Sequence, residues 1–145
     1  RFLASGCANK ATVMVPAGLE AGKGVLSLGA LKPFVETPKD DPAMTAYIDF
    51  MKKRLPNADI NNVAGLYGYT VAEALVVLLR QCKDNLTREN IMVQAANLKN
   101  VPLSLLMPGI TLNTTPQDFR PIKDGYMLQF DGNDWVVASE LLKGT

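Results

Sequence analysis

Few side chains in this sequence could carry out chemistry, and the most reactive of them lie near its start. Ser5, Cys7 and Thr12 could each act as a nucleophile, but the chain contains no histidine to serve as their base. A Ser-His dyad, a Cys-His dyad and a histidine-ligated metal site are therefore excluded within this sequence. A lysine or a carboxylate could still act as a base, but we predict no enzyme activity and no cofactor.

Gly22-Lys23-Gly24 resembles part of a phosphate-binding loop. The Ser or Thr that should follow the lysine is missing, and the residues lead into an apolar segment typical of a strand rather than into a helix. We interpret the three residues as a turn.

The segment from Tyr67 to Cys82 is strongly apolar and has aromatic residues at its start. Every residue from Val71 to Leu79 except Glu73 is apolar, which predicts a helix that is buried on all sides. Thr70 and Glu73 have the spacing of a capping box, so the helix is expected to begin at Thr70. Tyr67-Gly68-Tyr69 would then lie at the positive end of the helix, which favours an anionic or aromatic ligand. The alternative is a core helix anchored by its two tyrosines.

Length and composition are typical of one soluble domain: 145 residues, 48% hydrophobic and 20% charged. A net charge of +1 predicts no binding to nucleic acid or to a membrane surface, and no apolar run approaches the roughly 20 residues that span a bilayer. Cys7 and Cys82 lie far apart without a CxxC pattern, which favours two unpaired thiols over a disulfide or a zinc site. Because the chain begins at Arg1 within an apparent strand, we expect it to be a piece of a longer protein.

The remaining pattern alternates strands and helices. Asp41-Pro42 has the pattern of a helix start, and the apolar stripe that follows it is expected to cover a sheet. The stripe consists of Met44, Tyr47, Ile48, Met51 and Leu55. Residues 58–62 are interpreted as a polar connector. Thr87 is expected to cap a further helix with Met92 on its inner face, and two strands around Asp131–Asp134 read as a hairpin in which Trp135 packs on Phe130. The predicted elements are an opening strand, a strand over 24–31, helices from 42, 70 and 87, a short strand over 109–113, and hairpin strands over 126–130 and 135–139.

The order of several motifs resembles the C-terminal half of the branched-chain amino-acid-type periplasmic solute-binding proteins of ABC transporters. The resemblance runs from about Arg1 to Leu142. The motifs that carry it are Pro16-Ala-Gly-Leu-Glu-Ala-Gly-Lys-Gly, Asp41-Pro-Ala-Met, Phe50-Met-Lys-Lys, Tyr67-Gly-Tyr, Leu86-Thr-Arg-Glu-Asn, Leu106-Met-Pro-Gly-Ile, Pro121-Ile-Lys and Phe130-Asp-Gly-Asn-Asp-Trp.

The resemblance implies an α/β fold of the type I periplasmic-binding-protein class. In it, parts of two doubly wound, mostly parallel sheets are joined by a hinge. Residues 1–62 would form part of the second lobe, residues 63–125 part of the first, and residues 126–145 the last hinge crossing. The resemblance implies that the chain lies in the periplasm. The partners implied are a small-molecule ligand, the membrane permease of an ABC transporter, and either the missing N-terminal half or a second copy of the chain.

The resemblance also implies a ligand site between the lobes, formed by Ser5, Gly6, Cys7, Tyr67, Gly68 and Tyr69. Amino-acid binders of the family place an acidic residue near the first three positions to contact the ligand's ammonium group. This chain has no Asp or Glu from Arg1 to Leu19. A buried ammonium without a counter-charge is disfavoured, so we expect an aromatic or fatty carboxylate rather than an amino acid. The alternatives are a ligand-sensing domain of the same fold and a truncated fragment that binds nothing.

Overall fold

The strands of the chain form one four-stranded mixed sheet. A computed structural model describes residues 1–3, 8–33 and 40–144. The strands are β1 (Phe2–Leu3), β2 (Leu26–Gly29), β3 (Tyr126–Phe130) and β4 (Trp135–Val137). They lie in the order β1-β2-β3-β4, with β1 and β2 parallel and the other two pairs antiparallel.

The helices are concentrated in the middle of the chain. A π-helical segment, Lys10–Met14, continues into α1 (Val15–Ala17), and a 3₁₀ turn covers Glu20–Gly22. The longer helices are α2 (Pro42–Arg54), α3 (Val63–Cys82) and α4 (Arg88–Ala95). The turn predicted at Gly22-Lys23-Gly24 is confirmed, since these residues connect the 3₁₀ turn to β2.

The predicted start of α2 is confirmed. The Asp41 carboxylate accepts hydrogen bonds from the backbone N–H groups of Ala43 and Met44, both at 3.1 Å, and Pro42 is the first helical residue. The apolar stripe of α2 does not cover a sheet, however. Its buried residues pack with Leu66 of α3 and with the fully buried Leu105. Leu55, predicted to extend the stripe, is 51% exposed at the end of the helix.

The start predicted for α3 is wrong, because the helix begins about two turns earlier. Asn62 caps it by accepting a hydrogen bond from the Ala64 N–H at 3.0 Å. Thr70 lies inside the helix, where its hydroxyl donates to the Leu66 carbonyl at 2.9 Å, so it caps nothing. Glu73 accepts instead from Ser104, which is 31 residues away in sequence.

The prediction that α3 is buried on all sides is also wrong. Val71, Leu75 and Val76 are each about half exposed, and only 11% of the residues in the most apolar part of the helix are buried.

With its earlier start, α3 is long and apolar enough to cross a membrane by length and composition, with a mean hydropathy of 1.4. Length and composition alone do not distinguish such a segment from a helix of a soluble protein. The expectation that no apolar segment reaches this length therefore does not hold.

The end of the chain follows the predicted hairpin. Phe130 lies opposite Trp135, and their rings meet edge to face with centroids 5.3 Å apart, which confirms the packing predicted for Trp135. Asp131 organises the turn by accepting hydrogen bonds from the N–H groups of Asn133 and Asp134, at 2.7 and 2.8 Å. The cap at Thr87 is confirmed as well.

Two further predictions fail. The strand predicted over 109–113 contributes only an isolated bridge between Leu112 and Val101. Met92, predicted to lie on the inner face of α4, is 56% exposed.

Cys82 is buried and free, whereas Cys7 lies outside the described residues. The predicted division into residues 1–62, 63–125 and 126–145 stays a prediction. Met51 and Leu66, from the two sides of the first boundary, share one apolar cluster.

Replacing Gly68 by alanine is expected to stabilise the protein by about 0.5–1 kcal/mol. Glycine in a helix interior costs conformational entropy, and nothing lies within 4 Å of a Cβ at this position. Gly65→Ala is the matched control, because its Cβ would lie only 2.9 Å from the Tyr47 hydroxyl oxygen. Chemical denaturation of both variants tests the difference. A Gly68→Ala variant less stable than Gly65→Ala would contradict it.

Acid is expected to remove part of the stabilisation supplied by Asp41. Burial raises the pKa of this carboxyl, but the Lys32 ammonium at 2.7 Å and the N–H groups of Met44 and Ala43 together hold it below its usual value. A carboxyl with a lowered folded-state pKa stabilises above its unfolded pKa of about 3.9, and the effect is lost as the pH falls through the folded value.

Asp41→Ala should therefore cost about 1 kcal/mol at neutral pH. Asp41→Asn keeps a capping oxygen but loses the charge. Unfolding free energies measured from neutral pH down to about pH 2 should show the difference between wild type and Asp41→Asn shrinking below about pH 4. A difference that stays constant over this range would show that the charge of Asp41 contributes nothing.

Candidate ligand groove

A large apolar groove runs along α3. Its volume is about 1480 Å³, larger than the roughly 300–1,000 Å³ of most small-molecule pockets. The lining extends along α3 from Val63 to Leu78, which is about 22 Å at 1.5 Å per residue. The groove is therefore longer than a single small solute requires.

The wall that α3 contributes is a regular stripe. Tyr67, Val71, Leu75 and Leu78 follow one another at steps of four, four and three, which places them on one face of the helix. Tyr67 is 61% exposed and Leu75 is 51% exposed. Leu66, Thr70 and Ala74 also line the groove. The helix is fixed to the rest of the chain through Leu66, which packs with α2, and through Glu73, which accepts hydrogen bonds from Ser104.

The polar groups of the groove include those next to the beginning of α3. Asp59 and Asn61 precede the helix directly, and Tyr67 lies in its second turn. Toward the other end of the helix the lining is apolar and includes Leu75 and Leu78. Along α3 itself, the hydrogen-bonding side chains of the lining lie in and before the first half of the helix, and the second half contributes apolar side chains.

Two lysines also line the groove, and each forms an ion pair. Lys10 contacts Asp134 at 2.9 Å, and Lys32 contacts Asp41 at 2.7 Å. Both ammonium groups retain N–H donors that a ligand carboxylate could accept from. In the part of the chain that the structure describes, no group of three metal-ligating side chains could hold a metal ion.

Trp135 lines the groove as well. Its indole N–H is buried and has no hydrogen-bond partner among the described residues. A buried donor without an acceptor costs about 1–3 kcal/mol.

The predicted ligand-binding residues fall into different places. Tyr67 lines the groove with its side chain largely exposed. Gly68 lies in the helix interior and does not line the groove. Tyr69 points away, into an aromatic cluster with Tyr47 and Phe50 at centroid distances of 5.4 and 5.3 Å. The three residues therefore do not form one surface, since successive helical positions differ by about 100°.

Ser5, Gly6 and Cys7 lie outside the described residues. Ala8 and Asn9, which follow them directly, line the groove. Asn9 also caps the π-helical segment by accepting a hydrogen bond from the Thr12 N–H at 3.0 Å. A ligand-binding role for all six predicted residues remains a prediction.

Several lining residues were missed by sequence reasoning. Lys10, Lys32, Phe119 and Trp135 carry no motif that marks them as groove residues. Asn9 alone had a recognisable local signal, because an asparagine ahead of a helical stretch is a typical cap. The others come together only through tertiary packing.

Comparison with known proteins supports a fold but not a closer relationship. No protein-family model matches the sequence, and no curated protein matches it. A crystal structure of a branched chain amino acid ABC transporter from Thermus thermophilus with bound valine matches with a TM-score of 0.69 at 16% identity. The chain has part of a type I periplasmic-binding-protein fold. The α/β fold of the type I periplasmic-binding-protein class predicted from the sequence is thereby confirmed. The described residues, however, form one mixed sheet with a single parallel pair of strands, where parts of two mostly parallel sheets were predicted.

The match covers 92% of this chain but 36% of the Thermus protein. This chain therefore spans about a third of its structural neighbour's length. At 16% identity the likeness concerns the fold, and the ligand of the neighbour does not carry over.

Proposed function

We propose that the chain is part of the extracytoplasmic solute-binding component of an ABC importer. It would hold a small organic solute between two lobes in the periplasm and present it to a membrane permease. The observation that carries the proposal is the groove, which has hydrogen-bonding groups and an exposed tyrosine at one end and belongs to a type I periplasmic-binding-protein fold. No reacting group is needed for this role.

The proposed solute is an aromatic or fatty carboxylate. Lys10 and Lys32 supply cationic donors, and Tyr67 supplies an aromatic face that a ring or an alkyl chain can contact. Asp134, the acidic side chain beside Lys10, is already paired with it. Ser5, Gly6 and Cys7, which directly precede the lining residues Ala8 and Asn9 in sequence, are proposed to belong to the same site. Gly68 and Tyr69 do not line the groove and are not part of this proposed site.

A thermal-shift and calorimetric titration with 4-hydroxybenzoate, octanoate and valine tests the proposal. We expect a carboxylate without an ammonium group to raise the Tm more than valine does, because a bound ligand stabilises only the folded state. The measurement is made on the purified chain and on any complex that co-purifies with it. Absence of binding by all three compounds in both preparations contradicts the proposed function, and preferential binding of valine contradicts the solute class.

Tyr67→Ala is expected to weaken binding of the aromatic carboxylate about two- to twelvefold. The estimate follows from about 0.5–1.5 kcal/mol for one aromatic contact. Phe2→Ala is a matched control, since Phe2 is 59% exposed and does not line the groove. An equal loss of affinity in both variants would argue against a direct contact between Tyr67 and the solute.

A further inference from the structure

The two cationic side chains of the groove differ in where their counter-ions lie. Among the described residues these side chains are Lys10 and Lys32. Asp134, the partner of Lys10, lines the groove itself, whereas Asp41, the partner of Lys32, lines a separate pocket and not the groove. Within the groove the charge of Lys10 is therefore offset by a neighbouring carboxylate, while the counter-charge of Lys32 lies outside.

A carboxylate that enters the groove meets different surroundings at the two lysines. Beside Lys10 it comes close to Asp134, and the two negative charges repel each other. The remaining acidic residue of the lining, Asp59, accepts hydrogen bonds from the backbone and side-chain N–H groups of Asn61. Lys32 is therefore the more favourable cation for an incoming anion.

The counter-ion of Lys32 is also the better compensated of the two. One oxygen of Asp41 accepts from the Ala43 and Met44 N–H groups at 3.1 Å, and the other contacts Lys32 at 2.7 Å. The positive end of α2 thus offsets part of the negative charge of Asp41.

Asp134 lies in the hairpin turn with its side chain 53% exposed, and there the Asn133 side-chain amide donates to it at 3.2 Å. No helix end contributes to that pair in the described structure. The Lys32 ammonium therefore keeps more of its positive charge for the groove than the Lys10 ammonium does.

Lys32 is held near the first half of α3. Its backbone N–H donates to the Leu105 carbonyl at 2.9 Å, and the preceding Leu31 packs against the cluster that contains Leu105 and Leu66. Tyr67 follows Leu66 directly in the groove lining. Lys32 and Tyr67 are therefore attached to the same apolar cluster, in the part of the groove where an aromatic face is available.

We infer that Lys32 is the residue that binds the carboxylate of the solute and that it selects an anionic head group over a neutral one. The inference rests on the proposed function and names the specificity-determining residue within it. The Lys32 ammonium donates one N–H to Asp41 and has further N–H donors for a solute oxygen.

Titration with a carboxylate and with its neutral amide tests the inference. Calorimetry compares octanoate with octanamide and 4-hydroxybenzoate with 4-hydroxybenzamide, on the purified chain and on any complex that co-purifies with it. The variants are Lys32→Met and Lys10→Met. Lys123→Met is the matched control, because Lys123 is 27% exposed against 26% for Lys32 and also lies 2.7 Å from an aspartate, Asp118, but does not line the groove.

We expect Lys32→Met to weaken binding of the carboxylate about tenfold or more, which corresponds to the loss of one hydrogen bond to a charged group. Binding of the amide should change about twofold or less, since no charge is lost from that contact. Lys10→Met should weaken carboxylate binding less than Lys32→Met does, and Lys123→Met should bind like the wild type. Unchanged carboxylate affinity in Lys32→Met, an equal loss for the amide, or an equal or larger loss in Lys10→Met overturns the inference.

These outcomes separate the role of Lys32 from the proposed function. A wild-type chain that binds neither carboxylate refutes the proposed solute class together with the inference. Carboxylate binding that persists in Lys32→Met refutes the role of Lys32 alone and leaves the proposed function in place.

Discussion

Replacing Phe130 by alanine is expected to lower the free energy of unfolding by about 3–5 kcal/mol. Phe130 is completely buried and contacts the Trp135 ring edge to face. It also packs closely against Gly22, where an added Cβ would lie 3.2 Å from the Phe130 ring. Removing the ring leaves a cavity between the sheet and the 3₁₀ turn that the backbone cannot readily fill.

Chemical denaturation measures this loss, and two variants serve as controls. Phe130→Leu keeps much of the apolar volume and should lose clearly less stability than the alanine variant. Val136→Ala removes a side chain that is 40% exposed on the same hairpin and should have a small effect. A loss below about 1 kcal/mol in Phe130→Ala would show that this ring is not part of the core.

The second large effect is expected at Glu73, whose removal should destabilise the protein by about 1.5–3 kcal/mol. Its carboxylate accepts from the Ser104 N–H at 3.0 and 3.1 Å and from the Ser104 hydroxyl at 2.7 Å. In Glu73→Ala the partly buried N–H of Ser104 loses its acceptor. One of the connections between α3 and the segment after α4 is lost with it.

A double-mutant cycle separates this interaction from other effects of the substitution. The free energy of unfolding is measured for Glu73→Gln, Ser104→Ala and the double variant. We expect a coupling energy of about 1 kcal/mol or more between the two positions. Strictly additive losses would show that the hydrogen bond between the Ser104 hydroxyl and residue 73 does not stabilise the folded state.

Local patterns were sufficient where one hydrogen bond or one pair of neighbours decides the structure. The cap at Asp41, the cap at Thr87 and the hairpin around Asp131 depend on side chains that bond to backbone groups two or three residues away. The contact between Phe130 and Trp135 follows from the short turn that joins their strands. Such features are readable because both partners are close in sequence.

The beginning of α3 was misread because two patterns competed. Thr70 and Glu73 have the spacing of a capping box, but the acceptor that Glu73 provides is used by Ser104, far away in sequence. The alternative cap at Asn62 looked like part of a polar connector. A glycine at position 65 then allows α3 to approach Tyr47 of α2 closely, which no local pattern reveals.

The sequence by itself determined the caps of α2 and α4 and the terminal hairpin, since these depend on neighbours along the chain. The class of fold followed from the resemblance of its motifs to a known family. Only the tertiary structure decided which face of α3 is covered. That choice depends on contacts from Leu66 to Leu105 and from Glu73 to Ser104, between residues more than thirty positions apart. The long-range contacts bury one side of the helix and leave the apolar stripe of Tyr67 and Leu75 in the groove.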